Sequence, residues 1–154
     1  MTAIDRITVD PISKQRLRLW VRLLGVTRSA EGQLRTFLRA NHQTTLPRFD
    51  VMAALHRRGE PITMSEISRM LLVSNGNVTE VVDRLEADGL ARRTANGADR
   101  RTVCVSLTAK GARQFERLAA DHEHWIDGLF RSLNAADIEA MTEVLKRLRK
   151  GATP

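Results

Sequence analysis

Apolar positions along the chain recur mostly at three- and four-residue intervals, the signature of helices that bury one face. Between residues 13 and 41, Leu17, Trp20, Leu24, Leu34 and Leu38 fall near one stripe. That predicts one long helix with Ser13 as its N-cap and with Gly25 and Gly32 as points where it can bend. Leu46-Pro47 opens a second helix, because proline in the first turn forfeits no intrahelical hydrogen bond, and Phe49, Met52, Ala53 and Leu55 form its apolar face. The run Arg57-Arg58-Gly59-Glu60-Pro61 closes it. Thr63 and Glu66 predict a capping box at the head of a short third helix bearing Ile67, Met70 and Leu71. Ser74 is the expected cap of a fourth, in which Val78, Val81, Val82 and Leu85 share one face and Gly89 is the stop.

The pattern then shortens into two strand-like runs, residues 90–94 and 102–107, around a polar loop with Asn96-Gly97, which predicts a hairpin. Thr108 caps a fifth helix running to about Arg131, and Asn134 caps a sixth to Lys150 with Ile138, Met141, Leu145 and Leu148 at helical spacing. The fold class expected is mainly α with a small β-hairpin wing. Two short helices joined through residues 71–74, followed by a hairpin with an arginine-tipped loop, give the order of a winged helix-turn-helix.

Composition narrows the partners. The 154 residues, 42% hydrophobic and 28% charged, make about one domain with enough apolar side chain for a core. Lys plus Arg (25) exceeds Asp plus Glu (18), which points to a polyanion: nucleic acid, a membrane surface or a phosphorylated ligand. No apolar run is long enough to span a bilayer, and Asp5 and Asp10 stand where a signal peptide would be basic and then apolar, so a cytoplasmic protein without membrane contact is expected. The single Cys104 excludes an internal disulfide framework and a Cys-rich zinc site, and is read as structural. His122 and His124 fall on different helix faces, which disfavours a metal site. A Gly-rich phosphate loop, a His-Glu-x-x-His motif and a cysteine beside a base are all missing, so neither an enzyme nor a cofactor is expected.

The chemistry concentrates on the fourth helix and the hairpin loop. With its valine stripe buried, the fourth helix turns Asn75, Asn77, Glu80, Asp83 and Arg84 to other faces. Asn75 and Asn77 are the candidate base readers, since asparagine bonds adenine through two contacts. Ser74 and Thr79 offer hydroxyls to phosphate, and Gly76 lets the backbone approach. Arg84 and the loop residues Asp99, Arg100 and Arg101 complete the candidate DNA-binding set.

These residues resemble the MarR family of bacterial transcription regulators, the multiple-antibiotic-resistance type, over about residues 46–111. The resemblance rests on Leu-Pro-Arg-Phe-Asp-Val-Met (46–52), Met-Ser-Glu-Ile-Ser-Arg-Met-Leu (64–71), Val-Ser-Asn-Gly-Asn-Val-Thr (73–79) and Val-Val-Asp-Arg-Leu-Glu-Ala-Asp-Gly-Leu (81–90). It continues through Arg92-Arg93, Asp99-Arg100-Arg101 and Leu-Thr-Ala-Lys-Gly (107–111). Many relatives carry a basic residue where this chain has Asn75 and Glu80. The resemblance implies a two-fold homodimer: residues 1–45 an N-terminal dimerisation helix, 46–107 the DNA-binding winged helix-turn-helix and 108–154 the C-terminal dimerisation helices, in one intertwined domain. It also implies recognition helices in successive major grooves of a pseudopalindromic operator and wings in the flanking minor grooves. By the same analogy Arg101 is the wing-tip arginine, held by a salt bridge from Asp99, and Arg100 lies near phosphate.

Charge is unevenly placed. Residues 13–45 hold seven basic groups and one acidic, residues 46–107 nine and eight, and residues 108–154 eight and seven. The excess therefore sits on the first long helix, at Lys14, Arg16, Arg18, Arg22, Arg28, Arg35 and Arg39. The resemblance places a ligand cavity where the first helix meets the second and fifth, with Trp20, Arg22, Phe37, Arg39, His42, Phe49 and Met52 as candidate effector-binding residues. The 73–79 segment resembles that of MarR regulators of aromatic-acid catabolism, some of which respond to aromatic acyl-CoA thioesters, and CoA phosphates would match arginines. The alternatives are a free aromatic carboxylate, another small molecule, or a solvated basic face that adds to long-range attraction for DNA. Trp20 and Trp125 are expected in the core or the dimer interface. The function expected is an effector-responsive DNA-binding regulator, a repressor released by an aromatic acid or aromatic acyl-CoA. The alternative is a winged-helix protein-interaction module, favoured by the near-neutral 46–107 segment.

Overall fold

The computed structural model describes residues 11–97, 99 and 101–151, so the candidate Arg100 lies outside the described residues. The chain divides into two compact units, Met1–Pro47 and Arg48–Pro154.

In the first unit α1 (Pro11–His42) is one unbroken helix of 32 residues that runs through Gly25 and Gly32. Ser13 lies inside it rather than capping it; Pro11 in the first described turn is where proline is tolerated. Of the predicted stripe only Leu34 and Leu38 are buried, whereas Leu17 and Trp20 are 61% and 57% exposed. Trp20 is therefore not a core residue of the single chain. α1 stops where Gln43 turns left-handed at φ 49° and the Thr44 N–H reaches back to the Leu38 carbonyl at 3.3 Å. α2 (Leu46–Arg58) begins at the expected Leu46-Pro47 and buries Phe49, Val51, Met52, Ala54 and Leu55, a wider stripe than the pattern implied.

The second unit continues with β1 (Ile62–Thr63), α3 (Met64–Leu71), α4 (Asn75–Ala87), β2 (Ala91–Ala95), β3 (Val103–Leu107), α5 (Ala109–Leu129) and α6 (Ala135–Gly151). The sheet is antiparallel with order β1-β3-β2, pairing Ile62 with Val105 and Arg93 with Val105 on its two sides. Residues Ile62, Ile67, Val78, Val82, Leu85, Leu90 and Val105 are each at most 2% exposed and form the core beneath α3 and α4. Full burial of such side chains contributes roughly 1.5–3 kcal/mol apiece. The expected Met70 is instead 37% exposed, and Ser68 takes a buried place on α3.

The predicted caps other than Ser13 are present. Thr63 and Glu66 form the reciprocal capping box, Ser74 Oγ accepts from the Asn77 N–H at 3.3 Å, and Thr108 Oγ1 accepts from the Gly111 N–H at 3.0 Å. Asn134 and Asp137 exchange bonds of 3.1 and 3.0 Å at the head of α6. Gly89, at φ 71°, ends α4 with its N–H on the Glu86 carbonyl and the Leu90 N–H on Leu85, the paired pattern of a Schellman stop. The same corner is tied to α5: Thr108 Oγ1 donates to the Gly89 carbonyl at 2.7 Å, the Thr108 N–H to Leu90 at 3.0 Å, and Lys110 Nζ to Asp88 at 2.9 Å.

α5 buries Phe115 and Leu118, Trp125 is half-buried, and no residue of α6 is buried. Ile138, Met141, Leu145 and Leu148 keep their helical spacing but stand 43–53% exposed. Among the described residues no helix is long and apolar enough to cross a membrane.

Candidate nucleic-acid interface

α3 ends in a left-handed Leu72 at φ 57°, after which Ser74 caps α4. Asn75, Gly76 and Asn77 occupy the first turn of α4, all exposed, with no acidic residue among them. A Cβ added at Gly76 would meet nothing within 4 Å, so the backbone there is open to a large neighbour. First-turn N–H groups and the positive end of the helix dipole favour an anion at this place. Thr79 is exposed, and its hydroxyl donates to the Asn75 carbonyl at 2.9 Å, which leaves its oxygen and methyl group for a ligand. Arg84 is paired with Glu80 at 2.6 Å one turn away, both about two-thirds exposed, so its charge is partly satisfied within α4.

The wing loop differs from expectation in its fastening. Its Asp99 carbonyl accepts from the Thr102 N–H at 3.0 Å, and the Asn96 N–H donates to the Thr102 carbonyl at 2.8 Å. Asp99 Oδ1 accepts from the backbone N–H of Arg101 at 3.0 Å and Oδ2 from the Thr102 hydroxyl at 2.9 Å. The implied guanidinium salt bridge between Asp99 and Arg101 is thus replaced by a side-chain-to-backbone turn, the habit of aspartate at such sites. Those bonds, the Arg101 N–H first, hold the Asp99 carboxyl below its ordinary pKa. The Arg101 side chain is left exposed at the tip.

Residues beyond the expected set adjoin the candidate interface. Arg92 and Arg93 are neighbours on β2 and so face opposite sides of the sheet. Arg92 is exposed and donates to Ser106 Oγ at 3.4 Å. Arg93 turns to α4, where Nη2 meets Asp83 and Nη1 meets Glu86, both at 2.5 Å, while its backbone N–H donates to Glu86 Oε1 at 3.1 Å. Partial burial works against the Arg93 charge, yet the two carboxylates overcome it and hold its pKa above the ordinary value. At the C-cap of α4 Asp88 binds Arg48 of α2 at 2.5 Å. Strand periodicity could have separated Arg92 from Arg93; nothing local in the sequence links Arg48 to Asp88.

These pairs resolve the near-neutral charge of residues 46–107. Glu60, Glu66, Glu80, Asp83, Glu86 and Asp88 all face arginines of the same segment, and Asp99 is bonded to backbone and hydroxyl. Acidic groups are consumed in building the unit, while Arg92 and Arg101 remain on its exposed side.

The candidate effector residues fall in both units. In the first, Trp20, Arg22 and Arg39 are exposed, and Phe37 and His42 are half-buried with ring centroids 5.8 Å apart, edge to face. In the second, Met52 is 1% and Phe49 7% exposed. Phe49 lies against Phe115 and His122, at 5.6 and 4.6 Å between centroids, and burial pushes the His122 pKa down.

Comparison with known proteins agrees with this geometry. A profile described as MarR family matches residues 42–102. The HTH-type transcriptional regulator MhqR of Bacillus subtilis is 28% identical over 137 residues, covering 89% of this chain and 93% of that protein. A mutant MarR of Escherichia coli, solved in complex with operator DNA, is 26% identical with a TM-score of 0.72, covering 91% of this chain and 99% of that one. AbsC of Streptomyces coelicolor, a MarR family regulator, shares the fold at 21% identity and a TM-score of 0.80 over 93% of this chain and 95% of its own.

Proposed function

We propose that the chain is a winged-helix transcriptional regulator of the MarR family and, within it, an operator-binding repressor released by a small anionic aromatic effector. One observation carries the DNA-binding part: an exposed, acid-free first turn of α4 and an exposed Arg101 on a fastened wing loop belong to one folded unit. Asn75 and Asn77 read base edges in the major groove, Ser74 and the first-turn N–H groups hold phosphate, and Arg101 enters the narrow minor groove beside it.

The protein acts as a homodimer. Leu17, Trp20 and Val21 of α1 and Ile138, Met141, Leu145 and Leu148 of α6 are exposed apolar residues at helical spacing that a single chain leaves uncovered, and a second copy supplies the cover. Residues 1–45 and 108–154 are the dimerisation segments, and the two-fold axis sets the α4 helices about 34 Å apart on a pseudopalindromic operator. The effector is an aromatic acid or an aromatic acyl-CoA, its carboxylate or phosphates attracted by the arginines of α1, which places the regulator in aromatic-acid catabolism. Its binding shifts the spacing of the α4 pair, and operator DNA must weaken effector binding by the same factor.

A fluorescence-anisotropy titration with the upstream intergenic DNA, at two salt concentrations and with or without an aromatic acyl-CoA, tests this. Tight, salt-sensitive binding abolished by the thioester is the expected result. Binding untouched by any aromatic acid or thioester overturns the effector, and no binding at either salt overturns the regulator in favour of a protein-interaction module.

A further inference from the structure

We infer that Arg93 is a positioning residue of the DNA interface: gripped by Asp83 and Glu86, it fixes the wing relative to the recognition helix. The inference rests on the DNA-binding reading above. Three bonds join one residue of β2 to two residues of α4, and they are of different kinds. The guanidinium spans Asp83 Oδ1 and Glu86 Oε2, and the peptide N–H of the same residue meets the other oxygen of Glu86. Arg93 pairs in register with Val105, which is fully buried at the centre of the sheet, so the grip passes from α4 directly into the middle strand. A planar guanidinium held on two sides resists rotation in a way that a single ion pair does not.

The consequence is mechanical. Major-groove contacts come from the start of α4 and minor-groove contacts from the loop between β2 and β3, so both are made together only if the angle between these elements is set beforehand. Setting it in the free protein removes an ordering penalty from binding. Arg93 is only about a quarter exposed and both its terminal nitrogens face carboxylates, so it is spent on this angle and not on phosphate.

The test sets charge against geometry. The double variant Asp83→Ala/Glu86→Ala removes the grip and raises the net charge of the reading unit by two. Bulk electrostatics then favours every DNA sequence. Alanine is also the better helix former, and losing acids near the C-terminal end of α4 suits the helix dipole, so α4 itself is not weakened. If Arg93 sets the angle, the variant binds random DNA at least as well as wild type but loses about tenfold of its preference for an operator selected from a randomised duplex library, within the coupling range of contacting residues. Arg93→Lys, which cannot span both carboxylates, falls between wild type and Arg93→Ala in that preference. Faster hydrogen exchange at the Arg93 amide in the double variant, with unchanged helical circular dichroism, is expected as the DNA-independent sign. An unchanged or improved operator preference in the double variant, beside a selective wild type, overturns the positioning role alone. A wild type that selects no operator overturns the regulator reading and this role with it.

Discussion

Replacing Gly111 by alanine tests the corner where α4 meets α5. In an ordinary helix interior the change stabilises by about 1 kcal/mol, because alanine restricts the unfolded chain and fits the helix. Here the new Cβ would stand 1.9 Å from the Leu90 carbonyl oxygen, 2.8 Å from its carbon and 3.1 Å from its Cα. None of these atoms belongs to a flexible side chain. The Leu90 carbonyl accepts the Thr108 N–H, the Leu90 N–H is bonded to Leu85, and Leu90 is 2% exposed. The first turn of α5 must therefore retreat and stretch the Thr108 bonds. Overpacking costs about 1–3 kcal/mol, and a 1.9 Å approach to a fixed backbone oxygen belongs in the upper part of that range, about 2–3 kcal/mol, which exceeds the propensity gain. Gly111→Ala is expected to lower stability by about 1–2 kcal/mol net, or roughly 2–8 °C in Tm for a chain of this size. Urea unfolding followed by circular dichroism at one fixed protein concentration measures it, since self-association makes Tm depend on concentration. Gly76→Ala is the internal reference: nothing lies within 4 Å of its Cβ, so it should be neutral or stabilising while hindering approach to DNA. A Gly111→Ala protein as stable as wild type would refute the steric account of this corner.

Two further outcomes are expected. Arg101→Ala should leave Tm unchanged, because the side chain is exposed and the turn is fastened through its backbone, yet weaken operator binding and lessen its salt dependence by about one counterion; equal affinities and slopes would remove the wing from the interface. Glu66 is held below its ordinary pKa by the Thr63 backbone N–H first, then the Thr63 hydroxyl, Arg58 and Arg69, so its contribution is present above the ordinary carboxylate range and lost as pH falls through the folded value. The stability gap between wild type and Glu66→Gln, followed by urea unfolding from pH 7 to pH 3, should close at the acid end, and a gap independent of pH would dissociate the charge from the cap.

What the sequence made legible was whatever is decided within one turn of chain. Thr63 with Glu66, Ser74, Thr108 and Asn134 are caps because a short polar side chain meets N–H groups two or three residues on, and such geometry needs no tertiary partner. β1 escaped notice because two residues carry no periodicity; Ile62 and Thr63 become a strand only by lying beside Val105 and Cys104. Trp20 read as buried because it lies on an apolar stripe, and a stripe says which residues want cover without saying which molecule provides it.

The same distinction governs charge. Counted along the chain, residues 46–107 look too neutral to hold DNA, since nine basic groups face eight acidic ones. Counted in space, most of those acids are turned against arginines from the same unit: Asp83 and Glu86 on Arg93, Asp88 on Arg48, Glu80 on Arg84, Glu66 on Arg58. Exposed pairs of this sort stabilise little on their own, but each cancels a carboxylate that would otherwise repel phosphate. Electrostatic fit to a polyanion thus depends on which arginines are left over; among the described residues Arg57, Arg69, Arg92 and Arg101 stand outside these pairs, and Arg92 and Arg101 are exposed on the wing. The local sequence states the number of charges; only the pairing of β2 and α2 with α4 states where the surplus is.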